Sequence, residues 1–481
     1  MDKTESPACG EAVVTTEAPE GFIPVTDPER IPSRRYYDEA FYKLECERLW
    51  PRVWQMACRL EEIPEPGDFT VYDILDQSLI LVRMKDGGVK AFHNACRHRG
   101  VRLADGQGNC EVKGFQCPFH GWRWNMEGKN TFVYQPGLFS ERALDPDDID
   151  LPQCRVETWG GCAFINFDDD APPLRDCIEP FATWHDARKA EKMRVEWWSA
   201  TILPANWKTA VEAFMEAYHV LRTHPQLVSG RAKADNSHFA QAKKGSTASN
   251  DQRMSAWDTH EELIEGFIGF MRHLSVGMGG MVHARDVAVA ERMQREGVDL
   301  PENMDEAKTE WMRKLNEEIY KEGLATGRDM PDLLEILRTG PWHSVTYCFP
   351  NYFLLPYFGN MSSYRIRPLG PEKCLFELWS LTLEPEGLER PRPTPPTPTA
   401  HDDPSIPPIP LQDYSNIPAQ QRGLHVKGFT GMRLSRETEG LISNYQRLID
   451  GYLTGVPDEK LVQALRKVNV GIDTQIVDIG F

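Results

Sequence analysis

Long hydrophobic runs are missing from this 481-residue chain. No stretch approaches the roughly 20 apolar residues that a membrane-crossing helix needs. A secretory signal is also missing, because the first twenty residues carry Asp2, Glu5, Glu11 and Glu17 and have no continuous apolar centre. Positive charge is scarce: 54 Lys and Arg against 72 Asp and Glu leave a formal net charge of -18. Such a surface repels phosphate backbones and anionic lipid, so neither nucleic acid nor membrane is an expected partner. Regular cysteine spacing is absent too. Of the eleven cysteines, Cys9, Cys46, Cys58, Cys110, Cys154, Cys162, Cys177, Cys348 and Cys374 make no disulfide framework. They read as small buried hydrophobes in a reducing cytoplasm. There is no internal repeat. With 41% apolar residues, the chain is expected to be a globular cytoplasmic protein of two or three domains.

The two remaining cysteines organise the chain. Cys96-Arg97-His98-Arg99-Gly100 and Cys117-Pro118-Phe119-His120-Gly121-Trp122 each offer one thiolate and one imidazole on a short turn. Four ligands of this mix could hold zinc or an iron–sulfur cluster. The grouping separates the two. Zinc sites usually pair like with like, as Cys-x2-Cys followed by His-x3-5-His. One Cys and one His from each of two facing loops suits a [2Fe–2S] cluster with two Cys on one iron and two His on the other. Replacing two thiolates by neutral imidazoles raises the reduction potential. The spacing is that of a Rieske centre, and the segment resembles the Rieske domain of ring-hydroxylating oxygenases.

Around that motif, residues 1–35 are polar and Pro-punctuated, a flexible start followed by an arm. Phe41, Leu44 and Leu49 suit an amphipathic helix over 37–50, ending at Pro51. From Val53 to Phe167, short β-branched and aromatic runs alternate with Pro-Gly, Asp-Gly-Gly and Gly-x-Gly breakers. This is the pattern of a small antiparallel β domain with the Cys/His loops at its tip. Beyond Pro172-Pro173 a helix is predicted from about Thr209 to Arg222. A polar segment over 229–255 reads as a flap or connection. Helices around 257–275 and 303–322, and strands near 345–349, 352–355 and 375–379, come next. Residues 388–410 read as an extended Pro-rich wrap. A final helix is predicted from Ser435, with Glu437 and Glu439 in its first turn, to about Tyr452. The division is 1–52 (arm and helix packing on the catalytic domain), 53–167 (Rieske domain) and 168–481 (catalytic domain). The class is α+β, a small β domain inserted into a unit built on a helix-flanked antiparallel sheet of START-like form.

A second ligand set lies in the later domain. Glu216 and His219, three apart, would share one face of a continuous helix. His219 and His224, five apart, would not, but Pro225 disfavours helical geometry at His224 and lets that ring swing back. Two such His need a carboxylate to make a facial triad for non-haem Fe(II) with positions left open for O2. Spacing does not choose that carboxylate, because acids are plentiful.

The family resemblance extends here. Asp413-Tyr414-Ser415-Asn416 before Gln421-Arg422-Gly423-Leu424 is similar to the family's C-terminal segment, which implies Asp413 as third ligand beside His219 and His224. It also implies Glu216 as the acid linking a cluster His of one protomer to an iron-site His of its neighbour. Some members of the family have Asp there; this chain has Glu, one methylene longer. Glu212, Asn206 and Tyr218 could support the site or be structural. The resemblance implies a terminal oxygenase component holding a Rieske [2Fe–2S] cluster on Cys96, His98, Cys117 and His120 and a mononuclear Fe(II). O2 is the cosubstrate, and NAD(P)H acts indirectly through a reductase, with or without a ferredoxin. The assembly is a homotrimer (α3), or α3β3 with a small β subunit. Arg97, Arg99, Arg102 and Lys113 offer basic groups to an acidic carrier, or are plain surface charge. Phe214, Met215, Leu221, Met278, Met281, Phe349, Phe353, Leu355 and Tyr357 suggest an apolar pocket for an aromatic or other hydrophobic substrate, or are plain core. Cis-dihydroxylation and monooxygenation, including demethylation, use the same ligands. A cluster without a working iron site would make the chain an electron-transfer protein, and a zinc-loaded one a structural protein.

Overall fold

A computed structural model describes residues 18–227, 257–340, 343–388, 390–472 and 474–481. The segment 229–255, expected as a flap, and residues 1–17 lie outside the described residues.

Between Gln55 and Asn166 the chain forms a seven-stranded antiparallel sheet. Its order is 55–59, 162–166, 153–159, 89–93, 77–83, 68–74 and 107–109. A three-stranded sheet (115–116, 123–124, 130–132) stands beside it. Ile80, Val82, Phe92, Phe115, Trp122 and Trp124 make a small core of their own, and the Cys96 and Cys117 side chains are buried in it. Alternation explains the sheet: the Asp68–Ile74 strand buries every second residue.

The second unit is a six-stranded sheet in the order 346–348, 352–357, 360–370, 373–382, 194–203 and 399–400. It is antiparallel except for the last pair. The helices Trp207–Glu212 and Pro408–Leu424 pack on one another, and the first also lies on the Asn360–Gly370 and Lys373–Thr382 strands. His260–Gly277, Ala284–Glu296 and Met304–Ala325 form a packed helical layer. The class is α+β, as expected. Among the described residues no helix is long and apolar enough to cross a membrane.

Several elements differ from expectation. The strands Arg194–Leu203 and Asn360–Gly370, which mix polar and charged residues with apolar ones, and the helix Ala284–Glu296, charged along its length, were not legible. The helix expected from Ser435 starts at Gly440 and is not the final one, since Asp458–Val468 follows it. Glu439 reaches back to accept the Ser435 N–H (2.7 Å) and Ser435 Oγ accepts from Thr438 (3.3 Å), so these side chains close a separate turn first. The Pro-rich segment is extended over 390–398 but becomes helical from Pro408, where proline is tolerated in a first turn.

The two sheets are bolted together by arginines. Arg365, buried on the 360–370 strand, pairs with Glu377 at 2.8 Å and donates to the Met56 and Ala57 carbonyls. Its guanidinium lies between the Tyr72 and Trp379 rings, at 5.4 and 5.2 Å. Arg392, in the Pro-rich segment, donates to the carbonyls of Glu62 (2.6 Å) and Phe69 (3.0 Å).

Candidate metal centres

The two Cys/His turns are built alike. In the first, Gly100 N–H donates to the Cys96 carbonyl at 2.8 Å and Cys96 N–H to the Val101 carbonyl at 2.8 Å. In the second, Gly121 donates to Cys117 at 3.0 Å and Cys117 to Trp122 at 2.9 Å. Closing each turn in this way requires φ of +77° at Gly100 and +71° at Gly121, a region open to glycine. The thiols are buried and the imidazoles sit at the edge. The Cys117 thiol lies close enough to Cys96 to act on its charge. Burial raises the Cys96 thiol, and the N–H groups of His98 and Arg99 pull it the other way. The His98 and His120 rings are 4.7 Å apart, and Trp122 stacks on His98 at 5.1 Å.

The Nδ1 atoms of both imidazoles are buried without a hydrogen-bond partner. A buried orphan nitrogen is costly, so two of them beside two paired thiols fit a [2Fe–2S] cluster with Cys96 and Cys117 on one iron and His98 and His120 on the other.

The basic residues nearby are largely engaged. Arg97 donates to the Asp148 carbonyl at 2.7 Å, Arg102 pairs with Asp73 and Asp105 at 3.1 and 3.3 Å, and Arg99 covers the Phe119 ring at 5.2 Å.

His219, His224 and Asp413 come together across nearly 200 residues of sequence, with ligand atoms all within 4.8 Å of one another. Asp413 Oδ1 lies 3.6 Å from His219 Nε2 and 3.1 Å from His224 Nε2. His224 has left helical geometry (φ -117°, ψ 65°), as Pro225 requires.

The continuous 209–222 helix is a correction. The chain forms Trp207–Glu212, a turn, and then Val220–Thr223. Glu216 lies in the turn, where one carboxylate oxygen accepts the His219 backbone N–H at 3.0 Å, in the manner of an N-cap. The other meets His219 Nδ1 at 2.5 Å. Glu216 and His219 therefore meet through a capped turn rather than a helix face. Burial opposes charge on His219, but the Glu216 and Asp413 carboxylates outweigh it and hold the imidazole above its ordinary value.

Asp413 rides on the Pro408–Leu424 helix. Two turns further on, Gln421 fixes that helix by accepting from Asn206 N–H (3.0 Å) and Thr209 Oγ1 (3.1 Å). This gives the Gln-Arg-Gly mark a physical role: it registers the acid's helix against the helix leading to the histidines. Two imidazoles and one carboxylate so placed fit mononuclear iron.

Of the other candidates, Asn206 caps the Trp207–Glu212 helix, Tyr218 is exposed, and Glu212 accepts from Tyr36 and Gln446. Phe214 packs against Phe353, Tyr364 and Phe376 with ring centroids 5.1 to 6.3 Å apart. Phe349 stacks on Tyr452 at 5.5 Å and lines a cavity with Arg52, Trp54 and Ile178, between the arm and the C-terminal helices. It leaves the candidate pocket. The Leu221 side chain lies outside the described residues. Sequence reasoning missed Gln412, which meets His224 Nδ1, and Gln226, which donates to Gln412; amides carry no spacing signature.

A ligand set for a redox cluster on one unit and one for mononuclear iron on the other are what the class of Rieske non-haem iron oxygenases combines. Residues 53–137 match the Rieske [2Fe-2S] domain and residues 184–455 the ring hydroxylating alpha subunit (catalytic domain). The chain belongs to the ring-hydroxylating α-subunit family. It is 30% identical over 240 residues to the alpha subunit of 2-aminobenzenesulfonate 2,3-dioxygenase of Alcaligenes sp, covering 48% of this chain and 55% of that one. It is 29% identical over 203 residues to the oxygenase subunit of carnitine monooxygenase of Escherichia coli (strain K12), covering 40% and 52%. The chain thus spans about half the length of the curated relatives it matches. Its fold is that of naphthalene 1,2-dioxygenase with indole bound in the active site, at TM-score 0.58 and 18% identity over 91% of this chain and 97% of that one.

Proposed function

We propose that this chain is the terminal oxygenase component, or α subunit, of a multicomponent Rieske oxygenase. It takes electrons from an NAD(P)H-dependent reductase, directly or through a ferredoxin, and uses O2 to hydroxylate an aromatic or other hydrophobic substrate by cis-dihydroxylation. The observation that carries this reading is the convergence of His219, His224 and Asp413, in a chain that also carries two orphan imidazole nitrogens beside paired thiols. Cys96, His98, Cys117 and His120 would hold the cluster, and His219, His224 and Asp413 the mononuclear iron. When bound, these groups supply electron transfer and O2 activation.

The chain's own residues do the rest. Glu216 orients His219 so that Nε2 faces Asp413, and it carries the coupling to a cluster imidazole of a neighbouring protomer. Three protein ligands, His219, His224 and Asp413, would leave coordination positions for O2. Phe214, Phe353 and Phe376 give the neighbourhood an apolar wall that excludes water. Head-to-tail assembly into α3 or α3β3 is supported by the exposed Phe119, Tyr134 and Leu138 on the cluster-bearing unit. The division at residues 52 and 167 and a cytoplasmic site of action, where the free cysteines stay reduced, complete the reading. Monooxygenation is the second reading, favoured by the carnitine and glycine betaine monooxygenase subunits among the relatives.

The test is metal analysis with single-turnover kinetics. His219→Ala should lose mononuclear iron and turnover while keeping acid-labile sulfide and the Rieske EPR signal. Glu216→Gln should keep both metals and reoxidise its reduced cluster more slowly. Retained turnover in His219→Ala would overturn the triad, and wild-type kinetics in Glu216→Gln would remove the bridging role.

A further inference from the structure

Beside His224 two amides are locked head to tail. Gln412 Oε1 lies 2.7 Å from His224 Nδ1 and also accepts from Gln226 Nε2 at 2.8 Å. Gln412 Nε2 donates in return to Gln226 Oε1 at 3.3 Å. We propose that this pair is a positioning clamp that holds His224 as the Nδ1–H tautomer and directs its bare Nε2 to the metal; the proposal rests on the triad reading above.

The argument is one of proton count. An amide oxygen only accepts, so with Gln412 Oε1 against Nδ1 the ring must carry its proton there. Nε2, which faces Asp413 at 3.1 Å, is then left with a lone pair. Reversing Gln412 alone would set its NH2 against the NH2 of Gln226. The two amides must therefore turn together, and reversing both would move the ring proton to Nε2, the atom a metal needs bare. The clamp also joins two distant pieces of chain, because Gln226 lies two residues beyond His224 and Gln412 immediately precedes Asp413.

The two histidines are backed differently. His219 Nδ1 meets the Glu216 carboxylate at 2.5 Å, whereas His224 meets a neutral amide. A second backing carboxylate at position 412 would stand next to Asp413, and neutrality there limits like-charge repulsion in a buried site.

Fe(II) affinity of the iron-stripped full-length protein, measured by competition with a chelator, tests the clamp. Gln412→Leu should weaken Fe(II) binding about 10- to 100-fold, the range for loss of a group backing a metal-bound His. Gln412→Glu, which keeps an acceptor against Nδ1, should bind at least as tightly as wild type. Gln226→Leu, which removes only the outer half, should weaken binding less than Gln412→Leu does. The EPR spectrum of the Fe(II)–nitric oxide adduct should change shape in Gln412→Leu, and the cluster's own signal should not. Wild-type affinity in Gln412→Leu, or equal loss in the Leu and Glu variants, would overturn the clamp. His219→Ala is the control that separates the two claims. If it too binds Fe(II) normally, the triad reading has failed; if it alone loses iron, only the clamp has.

Discussion

Two buried carboxylates, Glu62 and Glu212, show what a single residue costs this fold. Burial pushes both up to about 7, against hydrogen bonds from Arg59 N–H to Glu62 and from Gln446 and Tyr36 to Glu212. In an unfolded chain a Glu titrates near 4.3. Between that value and about 7 the folded protein keeps protons that the unfolded chain has released. Stability therefore falls as pH rises through this window, and the loss is complete above it. The urea midpoint should be lower at pH 8 than at pH 5.5, and Glu62→Gln should narrow the gap. An unchanged gap would mean that Glu62 is ionised in the fold. At this scale the sequence is legible where chemistry is distinctive. Four Cys and His in two turns announce a cluster, whereas Asp413 is one acid among 72 and needed family resemblance to be singled out. Gln412 had no signal, because its role depends on a partner 186 residues away.

Elements were legible where one face is apolar and hidden where the environment is made of other elements. The 68–74 strand alternates and was expected. The Asn360–Gly370 strand carries Asn, Ser and Arg whose partners lie on other elements, Asn360 on Arg285 and Asp286, Arg365 on Met56 and Ala57, so its pattern reads as loop. The break after Glu212 was hidden for another reason: Ala-Phe-Met-Glu-Ala-Tyr contains no helix breaker, and the turn depends on the Glu216 carboxylate accepting the His219 N–H. Arg365 shows the energetic weight of such a hidden strand. Arg365→Met leaves Glu377 with Arg367 alone, at 3.0 Å, and frees the Met56 and Ala57 carbonyls. The expected destabilisation is about 3 kcal/mol by chemical denaturation. A loss under about 0.5 kcal/mol, as for an exposed pair, would show that the bolt does not hold the sheets.

For the whole molecule, the chain passes between its two units more often than a bead on a string would. Residues 30–32 pair with 431–433, Arg35 donates to Gln446 at 2.7 Å, Tyr36 reaches Glu212, and Arg392 returns to the first sheet. Backbone continuity is therefore a minor part of what keeps the halves together. The exposed Asp169-Asp170 connection is one covalent link among many non-covalent ones. Residues 1–169 and 170–481, produced as two separate polypeptides in one cell, should find each other and copurify as a single gel-filtration species showing two bands on a denaturing gel. Separate elution of the pieces would mean that the peptide bond, and not the interlock, is the fastener. Joined as described, the cluster-bearing half behaves as a woven part of the fabric, and a cut thread does not release it.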